Sequence, residues 1–218
     1  MKKTLLMLSL LVCLSSAVQA AQCSGGTLAD YTVTAFTCTL NDLIFSDFSY
    51  VSSAFGGAVA LGASGVAVDP EIVGSDDGLL FSSGWLAGPG QVDDSLISYT
   101  ATCDGCRIQN LILVMAGGAN NTGLASVSET STSVSPNVTL ITGGTQLTDM
   151  TTFTTSVGTI TLTKDIGVSG GTDGFANISA VSNLFSTVTT LTPEPPLIVL
   201  CLGLLGMIPI ARRKSRKL

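Results

Sequence analysis

The chain has 218 residues, a formal net charge of −6 and no histidine. The lack of histidine excludes a Ser-His-Asp triad, a Cys-His dyad and most zinc sites. Between Asp30 and Glu194 there are fifteen acidic residues, and Arg107 and Lys164 are the only basic ones, which gives a formal charge of −13. Such a surface repels nucleic acid, so no nucleic-acid partner is expected.

Residues 1–20 have the three parts of a secretory signal peptide. Lys2 and Lys3 supply the positive start, residues 5–12 are apolar, and small residues precede a cleavage position after Ala20. We therefore expect the mature chain to begin at residue 21 and to be exported.

The body, residues 21–191, is rich in Ser, Thr, Gly and Val, a composition that favours strands and turns. The predicted strands span 32–38, 43–51, 59–68, 79–85, 96–103, 106–114, 124–134, 138–141, 151–157, 159–166 and 177–188. The last of these has a spacing that also fits a helix. Short strands at close spacing, without a repeat of fixed period, predict an all-β fold with one antiparallel β-sandwich-like ectodomain. A barrel or a solenoid is the alternative.

Two of these strands are predicted to form a hairpin. Asp104-Gly105 is a favoured two-residue hairpin turn and stands between Cys103 and Cys106. The register pairs Ile97 with Ile112, Tyr99 with Asn110 and Ala101 with Ile108. In this arrangement the core face collects Ile97, Tyr99, Ala101, Ile108, Ile112 and Val114, and Leu111 and Leu113 fall on the opposite face.

The body holds four cysteines, Cys23, Cys38, Cys103 and Cys106. An even number in an exported domain predicts two disulfides, for which three pairings exist. Proximity in sequence favours Cys23–Cys38 and Cys103–Cys106. The second pair has C-x-x-C spacing, but a redox role would require a helix N-terminus to lower the thiol pKa, so a structural staple is favoured.

Paired carboxylates at Asp76, Asp77, Asp93 and Asp94 fall in predicted turns. Oxygen ligands in loops suit calcium, which is therefore a candidate ligand, although turns favour aspartate for backbone reasons too. No other cofactor is expected. Trp85 and Tyr99 are candidates for stacking on a sugar ring, and the competing interpretation places the tryptophan in the core.

A tripartite segment follows at 192–218. It contains the motif Pro193-Glu194-Pro195, an apolar run at 197–211 that is expected to form a transmembrane helix before processing, and a basic tail at 212–217 that starts with Arg212, Arg213 and Lys214. The run is shorter than the roughly 20 residues of a stable transmembrane helix. The basic tail should stay in the cytoplasm by the positive-inside rule, which places the ectodomain outside. A permanent single-pass anchor is the alternative to a segment that is removed.

This segment resembles the sorting signal of PEP-CTERM proteins, which are substrates of bacterial exosortases. The resemblance implies that a membrane exosortase recognises residues 193–195 and cleaves close to them. It further implies release of the body or its transfer to the cell surface, often together with exopolysaccharide. Pro196 departs from the pattern and bears on cleavage efficiency. The runs at 43–50 and 94–99 are similar to PEP-CTERM ectodomains, which supports a β-rich exported domain.

The expected function is that of an exported, non-enzymatic bacterial surface or extracellular-matrix protein. Its expected partners are the secretion machinery, the exosortase, the membrane before processing, and exopolysaccharide. A Ser-Lys mechanism could use only Lys164, which lies in a predicted strand without a recognisable motif, so no catalytic residue is assigned. The alternative is a carbohydrate- or calcium-binding surface module.

Overall fold

The computed structural model describes residues 20–131 and 138–189, with only the backbone for residues 138–143. The predicted signal peptide, apart from Ala20, and the predicted sorting segment 192–218 lie outside the described residues. Among the residues that are described, no helix has both the length and the apolar character needed to cross a membrane.

The described chain is built almost entirely from strands. In chain order the elements are β1 (Ala21–Gln22), β2 (Gly26–Thr27), α1 (Leu28–Tyr31), β3 (Thr37–Leu40), β4 (Leu43–Phe55), a 3-10 turn (Ala63–Gly65), β5 (Ala67–Val73), β6 (Asp76–Ala87), β7 (Val92–Cys103), β8 (Cys106–Asn120), β9 (Leu124–Ser131), β10 (Val138–Gly143), β11 (Thr148–Val157), β12 (Thr159–Ser169) and β13 (Phe175–Thr189).

These strands form two sheets. One has the order β1-β3-β4-β7-β12-β9-β10 and the other the order β11-β8-β13-β6-β5-β2. Every pairing is antiparallel except that of β1 with β3, which is parallel. The prediction of an all-β antiparallel sandwich is confirmed, and the segment 177–188 lies in a strand, β13.

Alternation along each strand produces the core, because successive side chains of a strand point to opposite faces. In β12, Ile160, Leu162, Ile166 and Val168 are buried, and the threonines between them face outward. The outward hydroxyls pair across β7 and β12, for example Thr100 with Thr161 at 3.1 Å. The threonine-rich composition therefore supplies cross-strand pairs on the outer face.

The predicted hairpin of β7 and β8 is wrong. β7 pairs with β4 and β12, whereas β8 pairs with β13 and β11, so the two strands belong to different sheets. The turn at Asp104-Gly105 is tight, and Gly105 has a positive φ of 72°. It forms a corner that carries the chain from one sheet to the other, and the predicted register does not exist.

A β-bulge also overturns the predicted core face of β8. The pairing of β8 with β13 shifts between Asn110 and Ile108, so one extra residue enters β8 at Gln109. After this bulge the alternation changes phase, and Leu111 and Leu113 are fully buried. Ile112 and Val114, which were predicted to be in the core, are only half-buried.

Three other predictions, for residues 32–38, 59–68 and Asp69-Pro70, also differ from the structure. Residues 32–38 do not form one strand, because α1 and a turn precede β3. The predicted strand at 59–68 begins only at Ala67. Asp69-Pro70 is not a turn but lies inside β5, where Pro70 is paired with Leu79 of β6 on one side and lies beyond the two-residue pairing with β2 on the other. Proline is tolerated at such an open strand edge, because no hydrogen bond has to be donated on that side.

Candidate functional site

Four polar side chains meet in the interior between the two sheets. Three come from the seven-stranded sheet, Tyr99 in β7, Glu129 in β9 and Lys164 in β12, and Asn183 comes from β13 of the other sheet. All four residues are completely buried. We call them the buried polar cluster.

Strand register brings the two charged members together. β12 pairs with β9 so that Lys164 is directly opposite Glu129. Each of the two residues points inward, and the other inward-facing side chains of its strand are apolar or small. Lys164 Nζ donates to Glu129 Oε2 at 2.5 Å. Opposite charges at facing positions of neighbouring strands attract each other, and here both side chains are fully buried, which strengthens the attraction.

Asn183 connects this ion pair to the opposite sheet. Its Nδ2 donates to Glu129 Oε1 at 2.7 Å, and its Oδ1 accepts a hydrogen bond of 2.9 Å from the Tyr99 hydroxyl. Each oxygen of Glu129 therefore contacts a different nitrogen. The amide of Asn183 is held at both of its polar atoms.

Burial shapes the protonation of the cluster. Loss of solvation lowers the pKa of Lys164, and the negative charge of Glu129 opposes that change without cancelling it. The pKa of the Tyr99 hydroxyl lies well above its usual value, first because of burial and second because of Glu129. Tyr99 is thus a hydrogen-bond donor at all physiological pH values.

An aromatic wall surrounds the cluster. The Tyr99 ring stacks on Phe48 with centroids 5.4 Å apart, and Phe81 and Phe45 pack at 5.8 and 6.1 Å. The ammonium of Lys164 lies 5.9 Å from the centre of the Phe81 ring. This apolar surround excludes water from the four polar groups.

The sequence contained part of the signal for this cluster. Lys164 interrupts an inward-facing apolar row, and Glu129 does the same in its strand. A charged side chain at an inward position of a strand requires a partner, so each residue indicated a buried pair without identifying its partner. Asn183 carried no such signal, because five consecutive residues of β13, Val181 to Phe185, are buried.

The four cysteines form two disulfides, with the pairing that proximity in sequence favoured. Cys23 and Cys38 link the chain before β2 to β3, with Cα atoms 4.8 Å apart. Cys103 and Cys106 close the corner between β7 and β8, with Cα atoms 5.2 Å apart. The first bridge holds the N-terminal end of the described chain on the sheet, and the second joins the two sheets at one end.

The four calcium candidates are not brought together. Asp76 and Asp77 begin β6, whereas Asp93 and Asp94 follow the turn after its other end, and none of the four lies in a turn. Asp77 Oδ1 accepts a hydrogen bond from Asn41, and Asp76 Oδ1 accepts one from Ser186. Across the described part of the chain, no group of three or more histidine, cysteine or acidic residues is placed to hold a metal.

Asp93 and Asp94 instead have unfavourable surroundings for a negative charge. Burial raises the pKa of Asp93. The pKa of Asp94 rises to about 6, first because of desolvation and then because Asp165 and Asp93 are close. Both shifts favour a protonated carboxyl.

Trp85 and Tyr99 are unavailable to an external sugar ring. Both side chains are fully buried, so the core interpretation of Trp85 is the one that the structure supports. The indole Nε1 of Trp85 donates to Ser95 Oγ at 3.0 Å, and that hydroxyl also contacts Tyr50 at 2.9 Å.

The predicted sorting motif, Pro193, Glu194 and Pro195, and the basic residues Arg212, Arg213 and Lys214 lie outside the described residues. β13 ends at Thr189, so three residues separate it from the motif in sequence.

Comparisons with known proteins leave the family open. No protein-family model and no curated protein matches the chain. Among solved structures, it is similar to the enzymatically active domain of bacteriophage CBA120 tailspike protein 4, with 15% sequence identity and a TM-score of 0.27. The similarity covers 62% of this chain and 19% of that one, so the chain spans about a fifth of that protein's length.

Proposed function

We propose that this protein is an exported bacterial surface or extracellular-matrix protein with a non-enzymatic β-sandwich body, sorted and cleaved by an exosortase. The observation that carries the proposal is the segment 192–218, in which a Pro-Glu-Pro motif, a short apolar run and a basic tail follow one another. A run of this length is better suited to transient insertion than to permanent anchoring.

The structure of the body supports export. Disulfides persist in oxidising compartments outside the cytoplasm, and the four body cysteines form two of them. The acidic surface suits a protein that must stay soluble among other macromolecules outside the cell. Nothing in the described residues favours the alternative of a calcium or sugar site.

Processing can be tested by intact-mass analysis of the protein recovered from the surface and medium of a bacterium that carries an exosortase. We expect mature material that begins near residue 21 and lacks residues 197–218. Deletion of the exosortase should leave the full tail in the membrane fraction. The matched control replaces Pro193, Glu194 and Pro195 with alanine and keeps the apolar run and basic tail. Surface protein that retains residues 197–218 would overturn the proposal.

A further inference from the structure

The buried polar cluster holds an amine, a carboxamide and a carboxylate in contact inside an apolar core. We propose that Lys164 and Asn183 become joined by an intramolecular amide bond, which forms between Lys164 Nζ and Asn183 Cγ with Glu129 as the acid–base group. The proposal is independent of the sorting signal, because it rests on side chains of the body alone.

Glu129 is placed to move the required protons. Its Oε2 accepts from Lys164 Nζ at 2.5 Å, and its Oε1 accepts from Asn183 Nδ2 at 2.7 Å. The first nitrogen is the nucleophile of the reaction and the second is the leaving group. One carboxylate can therefore take a proton from the attacking amine and give it to the departing one.

Tyr99 is placed to stabilise the intermediate. Its hydroxyl donates to Asn183 Oδ1 at 2.9 Å, and this oxygen becomes negatively charged when the amine adds to the carbon. A preorganised donor in a dry site stabilises such an oxyanion far more than water does. Tyr99 stays protonated, because burial keeps the pKa of its hydroxyl well above the usual value.

The apolar surround favours the reactive form of the lysine. Attack requires a neutral amine, and burial lowers the pKa of Lys164 toward that form. A buried ammonium has three N–H donors to satisfy, yet within the described residues its hydrogen-bond acceptor is Glu129 alone. A secondary amide has one N–H, which Glu129 satisfies.

The reaction balances without a further reactant. The amine of Lys164 adds to Asn183 Cγ, the Cγ–Nδ2 bond breaks, and one ammonia molecule leaves. Glu129 accepts one proton from Nζ, delivers it to Nδ2 and returns to its starting state. The fold holds both reacting groups on the same carboxylate, at 2.5 and 2.7 Å from its two oxygens. Well-oriented intramolecular reactions reach effective concentrations of about 10⁵–10⁸ M.

The product would tie the two sheets together. Lys164 lies in β12 of the seven-stranded sheet and Asn183 in β13 of the six-stranded sheet. The new amide would keep the hydrogen bonds to Glu129 and to Tyr99. A covalent bond across the sandwich would protect the domain against unfolding outside the cell, where cytoplasmic chaperones cannot refold it.

The sequence allows a direct test. Between Arg107 and Arg212 the only position for trypsin is Lys164. The exported protein, with or without its tail, is denatured, reduced, alkylated and digested. A linked chain will be cut completely after Arg107 and not after Lys164, and the peptide that begins at residue 108 will weigh one ammonia less than its sequence predicts. Cleavage after Lys164 with unmodified masses overturns the proposal.

Variants assign the roles. Glu129→Gln keeps the shape but cannot relay a proton, and Asn183→Leu lacks the carbonyl, so in both variants we expect cleavage after Lys164. Tyr99→Phe should still link, about 100-fold more slowly in a time course after synthesis. Circular dichroism and intact disulfides check the fold of each variant. A Glu129→Gln chain that links as fast as the natural one rules out the role of Glu129, and the digest of the natural chain decides the bond itself.

Discussion

Asn183 in one sheet donates a hydrogen bond of 2.7 Å to Glu129 in the other, directly through the middle of the sandwich. Most of the contact between the sheets is apolar packing, which has no preferred direction. The polar contact is directional, so it selects one alignment of the sheets. The same Glu129 is the ion-pair partner of Lys164, so the two charged residues of the cluster depend on each other.

The first prediction concerns that dependence. Glu129→Leu leaves Lys164 buried without its carboxylate, whereas Glu129→Leu/Lys164→Met removes both charges. The single variant should therefore be less stable than the double variant by about 3–5 kcal/mol, the usual cost of leaving one member of a buried ion pair without its partner. Neither variant can form the proposed amide bond, so the comparison isolates the charges. Urea unfolding measures the difference, and a double variant as unstable as the single one would contradict the prediction.

The second prediction concerns Gly78, which lies in β6 against the backbone of Asn183. A Cβ built on Gly78 would stand 1.7 Å from the Asn183 carbonyl oxygen, so Gly78→Ala must displace β13. We expect a loss of more than about 2 kcal/mol in stability, in line with other backbone clashes. The matched control is Gly84→Ala in the same strand, where a Cβ meets nothing within 4 Å. The urea midpoint should fall for Gly78→Ala and hold or rise for Gly84→Ala.

Failure of this pair would be informative. Equal midpoints for the two alanine variants would mean that β13 tolerates displacement, and the rigid placement of Asn183 would then be wrong. If Gly78→Ala unfolds the protein, the digest at Lys164 should also show free lysine, because the cluster can no longer assemble.

The sequence alone predicts the strands of this fold but not these contacts between them. Alternation of apolar and polar residues located most of the strands, as in β4, β6 and β12, and so predicted the sandwich. Alternation does not say which strand is the neighbour. The turn at Asp104-Gly105 has the residues of a hairpin, yet it forms a corner, since a sharp reversal of the chain is needed in both cases.

The candidate site was harder to predict for a related reason. A bulge such as the one at Gln109 exchanges the buried and the exposed side chains of the strand that follows it, and no local sequence signal marks it. The pairing of Lys164 with Glu129 depends on β12 lying beside β9, and the contact with Asn183 depends on how the two sheets stack. Both are long-range relationships, and no spacing within one strand encodes them.

The third prediction separates the two disulfides. The Cys23–Cys38 bridge closes a segment with a sequence separation of 15, and the Cys103–Cys106 bridge one of only 3. Because a longer closed loop restricts the unfolded chain more, the loop-entropy estimate is about 3 kcal/mol for the first and about 2 kcal/mol for the second. Paired Cys→Ala variants, compared by urea unfolding, should therefore lose more stability at 23 and 38. The reverse order would show that the corner between the sheets depends on its bridge for native geometry.

The fourth prediction concerns pH and Asp94. Its pKa of about 6 in the folded protein lies above the ordinary value of 3.8, so the folded state binds this proton more tightly than the unfolded chain does. The stabilisation is complete below pH 3.8 and is lost as the pH rises through 6. Asp94 is partly exposed, so solvent screening limits the effect to about 1 kcal/mol.

Asp94→Asn removes the titration. We expect this variant to be more stable than the natural protein at pH 7 and to show a smaller decrease in melting temperature between pH 4 and pH 7. Asp93, whose pKa is also raised, contributes a change in the same direction that remains in the variant. Asp104→Asn, in the exposed corner between β7 and β8, is the control for the loss of one carboxylate. If Asp94→Asn follows the natural profile from pH 4 to pH 7, the carboxyl at 94 is not the group that titrates there.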